Sequence, residues 1–547
     1  MNLQVNYIDI AIIVAFISGI LWWALRNRKN CNADDYFLAG KSQNWFIIGL
    51  SLFAASVSSS TLMGHSGEGF ISGIAVFNYN IGAVFVIIFV ALFFLPFYIK
   101  SGIYTIPEYL GRRFDNRSRK YFSFITIIGN VFLDAGAALY TGALILKIIF
   151  PEVDMMWVII AMAAMAGTYT IIGGLSSAIN ADMIQSIVLI VGSVLLSIFC
   201  FNSVGGWEQF VEKFHDGVWL HLVRSNSDTT VPWFSILLSI PILGFYFWGN
   251  NQVMVQRVLS AKSVNEGRIG FLFVAFIYLF TLFIFITPGM VARATDIFGL
   301  GTPLPNEILD GNTLRSMFGI DTNEVYPRLI LNLLPVGLIG LMIACMISAL
   351  TSTLSASLNS ISTLFTMDFY NSWKKNASSA HLVKVGQITS FVALVIAVLW
   401  APLIGTFASL VAYYQEFSSY LAPPIVGTFL MGLFWKRSTA NGAFAGLTSG
   451  LAMAAIIMTL KFGFGIQVPF HFLLWVPILL VLSLVVNIIV SLSGKRPDEE
   501  TVTKYTWRKH LWKEETEELK TIPWYKNFRY ISVLLILLAF IEYWFFF

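Results

Sequence analysis

The sequence predicts an all-α polytopic membrane protein of about fourteen transmembrane helices. Three observations carry this. Of its 547 residues, 57% are apolar and only 12% are charged, about half the ~25% charged share of a soluble domain. The mean hydropathy is +0.75. Apolar stretches of span length recur from end to end, and a hydrocarbon core takes about 20 apolar residues per helical crossing. Alternating ten-residue segments are absent, which excludes a transmembrane barrel. The composition also excludes a large soluble catalytic domain, a nucleic-acid reader and a disulfide scaffold. Cys31, Cys200 and Cys345 are scattered without metal-ligand spacing.

The stretches fall at about 7–25, 45–63, 76–99, 121–149, 155–172, 182–203, 232–250, 270–292, 328–365, 384–404, 406–435, 441–460, 470–493 and 529–547, numbered helix zero to helix thirteen. The first carries Asp9, has no basic residue ahead of it and no small-residue cleavage site behind it. It reads as a retained helix, not a signal peptide. Lys and Arg set orientation. Loops that fall on one side hold 27 of the 34 basic residues, nine of them between Lys495 and Arg529. That side is cytoplasmic, so both termini are expected outside the cell membrane. Two longer segments, 293–327 outside and the charged 494–528 inside, read as helical connectors.

Polar groups at membrane depth are costly and mark a path or a site. Helix one runs through Ser56, Ser58, Ser59, Ser60 and Thr61 to Gly64, Gly67 and Gly69. Hydroxyls in a row followed by glycines fit a helix that unwinds at mid-membrane. Helix six has Pro241 and Gly244, then Gly249, Asn250 and Asn251. Unwound backbone frees carbonyl oxygens, tolerated where protein or a water-filled cavity surrounds them. Interrupted helices five apart, at corresponding positions of two halves, point to a transporter site between inverted repeats. Close helix packing by small residues is the plainer account of either break alone.

Helix eight reads Ser348-Ala349-Leu350-Thr351-Ser352-Thr353-Leu354-Ser355. The hydroxyls of Ser352 and Thr353 and the Ala349 carbonyl one turn earlier converge on one side. Hard cations take oxygen ligands. The plainer account is hydroxyls bonding back to carbonyls a turn before.

Several runs resemble one family. They are DYFLAGKS at 35–42, TIPEYLGRRF at 105–114, GGLSSAINADMIQ at 173–185, QRVLSAKS at 256–263 and LNSISTLFTMDFY at 358–370. These are similar to the sodium/solute symporter family, in its bacterial sodium/sugar branch. The similarity runs from about residue 5 to about residue 440. The resemblance implies two inverted five-helix repeats, helices one to five in 45–203 and six to ten in 232–435. An extra N-terminal helix occupies 1–30, and the C-terminal helices with the 494–528 segment occupy 441–547. It also implies sodium as the coupling ion, a small-molecule solute as partner, and alternating access. The implied sodium site lies where helix one unwinds against helix eight, with carbonyls of Ala54, Val57 and Ala349 and hydroxyls of Ser352 and Thr353. A second sodium, present in some members, would use Ser355 and Asp182, but the neighbouring Ala356 has no hydroxyl.

For the solute, Trp248, Tyr79 and Gln415 match a sugar pocket: an aromatic face stacks on a pyranose and Gln bridges hydroxyls. Other positions depart from the sodium/galactose pattern. Thr61, Asn80, Asp134 and Tyr278 stand where it has Gln, Glu, Asn and Lys. His65 replaces a Met, Phe247 a gating Tyr, and Val411 an aromatic lid. Relatives that carry sialic acid place an Arg where Asp134 stands. The pocket set Thr61, Tyr79, Asn80, Asp134, Trp248, Tyr278 and Gln415 therefore favours a neutral monosaccharide or polyol, with a cationic solute as the alternative.

Single residues carry further expectations. Asp134 lies mid-helix among apolar neighbours. Lys147, 13 residues on and roughly 20 Å along a helix, is too far to pair with it. Asp134 reads as a solute ligand or as an interhelical hydrogen-bonding group. Glu416 reads as structural, and His65 as a protonatable gate residue or, more plainly, a hydrogen-bonded pocket edge. An ion channel would show a pore loop or a ring of charges, and none stands out. A membrane enzyme would cluster His, Asp or Cys near a surface, and the six histidines do not cluster.

Overall fold

The structure, a computed structural model, describes residues 5–26, 32–149, 152–215, 217–226, 228, 231–300, 304, 308, 311–374, 376–404, 410–466 and 468–547. Among these residues the chain is helical, and strand pairing is limited to two isolated bridges, Gln43 with Ala261 and Arg224 with Pro232. Helix satisfies every backbone group within its own segment, as a bilayer requires.

The membrane helices that position the site are α1 (Tyr7–Arg26), α2 (Trp45–Ser56), α3 (Ser59–Ser72), α4 (Asn78–Phe93), α5 (Asn116–Lys147), α6 (Met155–Ser203), α7 (Trp233–Asn250), α8 (Gln252–Leu259), α9 (Val264–Leu279), α10 (Leu282–Ala294), α11 (Leu338–Trp373), α12 (Ser379–Ile404), α13 (Leu410–Phe434), α14 (Ala440–Gly463), α15 (Phe472–Ser493) and α16 (Phe528–Phe545). By length and hydropathy, eleven helices among the described residues are able to cross a membrane, and the pair α9 and α10, bent by 47°, makes a twelfth. Fourteen stretches are read from the sequence, and the difference has a physical origin. Helix one is split into α2, which is short of a crossing, and α3, which runs on toward α4. Two of the predicted stretches share the 49-residue α6, about 74 Å at 1.5 Å per residue. Gly174 interrupts α6 with φ 59°, a conformation that glycine alone adopts without strain. A Cβ there would lie 2.5 Å from the Tyr36 carbonyl oxygen.

The break in helix one sits at Val57 and Ser58, with ψ 87° and 168°, ahead of the glycines. Ser58 starts a fresh helix: its hydroxyl accepts from the Thr61 amide at 3.1 Å, and Thr61 Oγ1 accepts from the Ser58 amide at 3.3 Å. The glycines permit close approach instead of unwinding. A Cβ on Gly67 would lie 2.8 Å from the Thr322 carbonyl oxygen, and one on Gly69 2.3 Å from that of Ile286. Helix six is broken as expected: α7 ends in a π turn over Tyr246–Asn250, and Asn251, with ψ 123°, leads into α8.

α11 is the most enclosed of the long apolar helices and packs on α1, α2 and α6. Asp9 of α1 is fully buried and caps its start. The amides of Gly337 and Gly340 donate to Asp9 Oδ1 at 2.7 and 2.8 Å. A carboxylate there satisfies orphan amides and meets the positive end of the helix dipole. In the 494–528 segment two helices form, Glu499–Tyr505 and Lys509–Leu519. Glu515 bridges Arg268 at the start of α9 and Arg529 at the start of α16.

Candidate functional site

The break frees carbonyls. In an unbroken helix the Ser58 amide would bond Ala54 O; here Thr61 Oγ1 takes it. The Thr61 amide, which would reach Val57 O, goes to Ser58 Oγ. Ala54 and Val57 are buried, and their oxygens are left without those backbone partners. Across from them, α11 presents its hydroxyls. Ser352 donates to Asp182 Oδ1 at 2.5 Å, and Thr353 donates to Ala349 O at 3.1 Å. Both protons are committed elsewhere, so the remaining lone pairs of the two hydroxyls are the groups available to a cation.

Asp182, on α6, is the hub behind this site. Its carboxylate accepts from Ser51 of α2 at 2.7 Å and from Arg257 Nη2 of α8 at 2.9 Å. Arg257 Nε also donates to Ser51 Oγ, at 2.9 Å. Arg257 and Asp182 are 1% and 0% exposed, so each neutralises a charge that the interior would not otherwise hold. The structure thus gives Asp182 the pairing role. Ser355, one turn beyond Ser352, lies beside Tyr169, which is itself in electrostatic range of Asp182 and Arg257; its buried hydroxyl makes no hydrogen bond of good geometry among the described residues. Arg257 carried only its place in QRVLSAKS and its side of the membrane in the sequence, and nothing there linked it to Asp182.

The residues expected to hold the solute lie on α3, α4, α5, α7, α9 and α13. Trp248 is buried on the π turn of α7, edge-on to Tyr278 of α9 at 5.2 Å and to Phe247 at 5.2 Å. Tyr278 is edge-on to Phe53 of α2 and lies near Ser56, so it reaches the helix ahead of the break. Asp134 sits on a π turn of α5, Asn130–Ala135, beside the Tyr414 hydroxyl of α13. Tyr246 and Tyr278 lie within electrostatic range of Tyr414. Asp134 takes part in no ion pair among the described residues. Gln415 is half-buried, and its carboxamide makes no hydrogen bond to another described residue. The side chain of Val411 lies outside the described residues.

Asn80 and His65 are tied to each other. His65 Nδ1 meets Thr61 O at 2.9 Å, its Nε2 meets Asn80 Oδ1 at 3.0 Å, and Asn80 Nδ2 donates to Thr281 Oγ1 at 2.6 Å. His65 is thus hydrogen-bonded at both ring nitrogens. Asn80 is 5% exposed and largely committed. Tyr79 is half-buried beside Glu68, a carboxylate the sequence reading passed over; its place three residues after His65 on a polar stripe was the available signal. Glu416 is structural, paired with Lys461 of α14 and accepting from Tyr420 at 2.8 Å.

Comparison with known proteins fits this geometry. The profile of the "Sodium:solute symporter family" matches residues 36–450. Sodium/glucose cotransporter 1 of Oryctolagus cuniculus is 32% identical over 94% of this chain and 83% of its own. Sodium/myo-inositol cotransporter 2 of Bos taurus is 32% identical over 91% and 78%. Among solved structures, a Na+-coupled sialic acid symporter superposes with a TM-score of 0.76 at 23% identity, covering 90% of this chain and 99% of that one. That likeness is one of fold. With a profile match over most of its length and relatives at this identity, the chain belongs to the sodium:solute symporter family, multi-pass membrane transporters that couple a small solute to sodium.

Proposed function

We propose that the protein imports a neutral monosaccharide or polyol together with sodium, by alternating access between two inverted five-helix repeats. Fourteen spans, with both termini outside, complete this reading; the 27-to-7 division of basic residues supports it. The sugar and polyol named for the relatives support the solute class. Sodium is bound by carbonyls of Ala54, Val57 and Ala349 and by hydroxyls of Ser352 and Thr353. One sodium moves per cycle. Ala356 offers no hydroxyl beside Ser355, and Asp182 already holds Arg257, so the second site is short of one oxygen and its carboxylate is already balanced by a cation.

The observation that carries the solute class is the half-buried Asp134 carboxylate beside the Tyr414 hydroxyl, with Tyr246 and Tyr278 in electrostatic range of that hydroxyl; Gln415 and Trp248 complete the proposed pocket. A carboxylate accepts two solute hydroxyls, the Gln carboxamide both donates and accepts, and the indole face stacks. A solute carboxylate would sit against a like charge at low dielectric. Asp134, without an ion pair among the described residues, favours one alternative, a solute bearing an ammonium group. Each sodium entering at 100 mV supplies about 2.3 kcal/mol from voltage alone. Coupling arises because Tyr278, in the proposed solute half, packs edge-on to Phe53 and beside Ser56 ahead of the helix break, so each ligand stabilises the geometry the other needs. Sodium-gradient uptake by proteoliposomes against sugars, polyols, sugar acids and amines tests the reading. Uptake without sodium, or of acids alone, overturns it.

A further inference from the structure

The chain of hydrogen bonds through His65 has a proton count that fixes its chemistry. Thr61 O is an acceptor, so His65 Nδ1 carries a proton in every state. At the far end, Thr281 Oγ1 donates to the Tyr278 carbonyl at 2.5 Å. That leaves its lone pairs for Asn80, which answers with its NH2 at 2.6 Å. Asn80 therefore turns its carbonyl oxygen to His65 Nε2. Both ring nitrogens face oxygens that can only accept, and an imidazole meets two acceptors only with two protons.

A neutral His65 requires a different arrangement. Its Nε2 lone pair needs the Asn80 NH2, so the amide turns over. Asn80 Oδ1 then faces Thr281, whose hydroxyl proton swings from Tyr278 O to Asn80. Binding one proton reverses the chain from α3 through α4 to α9, and all of its donors stay satisfied in both states.

We propose that His65 is a proton-binding site whose occupancy sets the direction of the hydrogen-bond chain linking helices one, two and seven at the edge of the solute site. The proton enters from water on the half-buried face of the ring and adds to Nε2; no other bond forms or breaks. The groups around it accommodate the charge. Glu68, three residues on, lies on the same face of α3 and makes no ion pair among the described residues. Tyr79 of α4 and Tyr278 of α9 are neutral neighbours, and Asp134 and Tyr140 of α5 with Tyr414 of α13 stand across the pocket. Of the segment against the other face of α3, Asp321 caps a short turn and Glu324 pairs with Arg328. Arg224 and Arg293 lie at the outer end of α3, on the carbonyls of Ser72 and Phe70. The inference stands whatever the solute is.

The test is histidine side-chain nitrogen-15 spectra of the full-length protein in nanodiscs, with His65 assigned through His65→Gln, alongside uptake from pH 5 to 8. The expected result is two bound protons on His65 at the acid end and one at the alkaline end. The half-saturating solute concentration should shift about fivefold between them, the worth of one hydrogen bond. His65→Gln should abolish that inflection, and Asn80→Asp should move it to higher pH because a carboxylate favours the imidazolium. A His65 that keeps a single proton down to pH 5 overturns the proposal. So does an inflection that persists in His65→Gln.

Discussion

Ser352 of α11 gives its hydroxyl proton to Asp182 of α6 across 2.5 Å. The same carboxylate accepts from Ser51 of α2, so one buried anion ties together the two helices whose oxygens are proposed to bind sodium. The ligand hydroxyl is held with its proton turned to the anion. A cation that arrives does not have to reorient it.

Ser352→Ala and Thr353→Ala should each raise the sodium concentration for half-maximal uptake about tenfold or more. A hydrogen-bonding group lost from a charge is worth about 1.5–3 kcal/mol. The sodium dependence of the unmodified protein should have a Hill coefficient near one. Sodium titrations of uptake that coincide for both variants and the parent would place the ion elsewhere.

Arg257→Met should destabilise the protein more than any substitution in the solute pocket, by about 3–5 kcal/mol, because Asp182 would be left charged and alone in the interior. The double variant Arg257→Met with Asp182→Leu should regain part of that loss. Thermal unfolding in detergent measures both. A single variant as stable as the parent would show that the pair is dispensable.

Asp134→Asn separates the two solute classes. A polyol should bind the amide with affinity weakened by about 1 kcal/mol, the size of one hydrogen bond. An ammonium solute should lose far more, since its counter-charge is gone. Strong sodium-driven uptake of a sialic or uronic acid by the unmodified protein is the result that sinks the neutral assignment.

A cysteine placed at position 2, in a background with Cys31 replaced, should react with an impermeant thiol reagent from outside intact cells. Cys200 and Cys345 are buried and should stay silent. Labelling only after permeabilisation would invert the topology.

Much of this architecture was legible because it is written in local chemistry. A run of Ser and Thr in an apolar helix announces the break at Val57 and Ser58, and Gly249-Asn250-Asn251 announces the second. The glycines after the first break misled, because a glycine that lets the Thr322 or Ile286 carbonyl approach looks in sequence like one that unwinds a helix. The partnerships of Arg257 with Asp182, of Asn80 with His65 and of Glu416 with Lys461 were not legible. Each joins residues tens of positions apart, or on different helices, and no periodicity encodes which buried charge finds which. The fourteen stretches blurred for a similar reason: hydropathy marks where lipid is tolerated, while the backbone of α6 passes through Gly174 without ending.

Asp9 gives α1 a task that its place outside both proposed repeats conceals. By holding two amides at the head of α11, it pins one end of the helix that bears Ser352 and Thr353. If that capped end stays fixed while the helix tilts, the turn bearing Ser352 and Thr353, about four turns farther along, swings through an arc instead of sliding. Removing α1 would release the pivot, and the defect would surface as sodium leak without solute, a failure of gearing in a protein whose ligands are all still present.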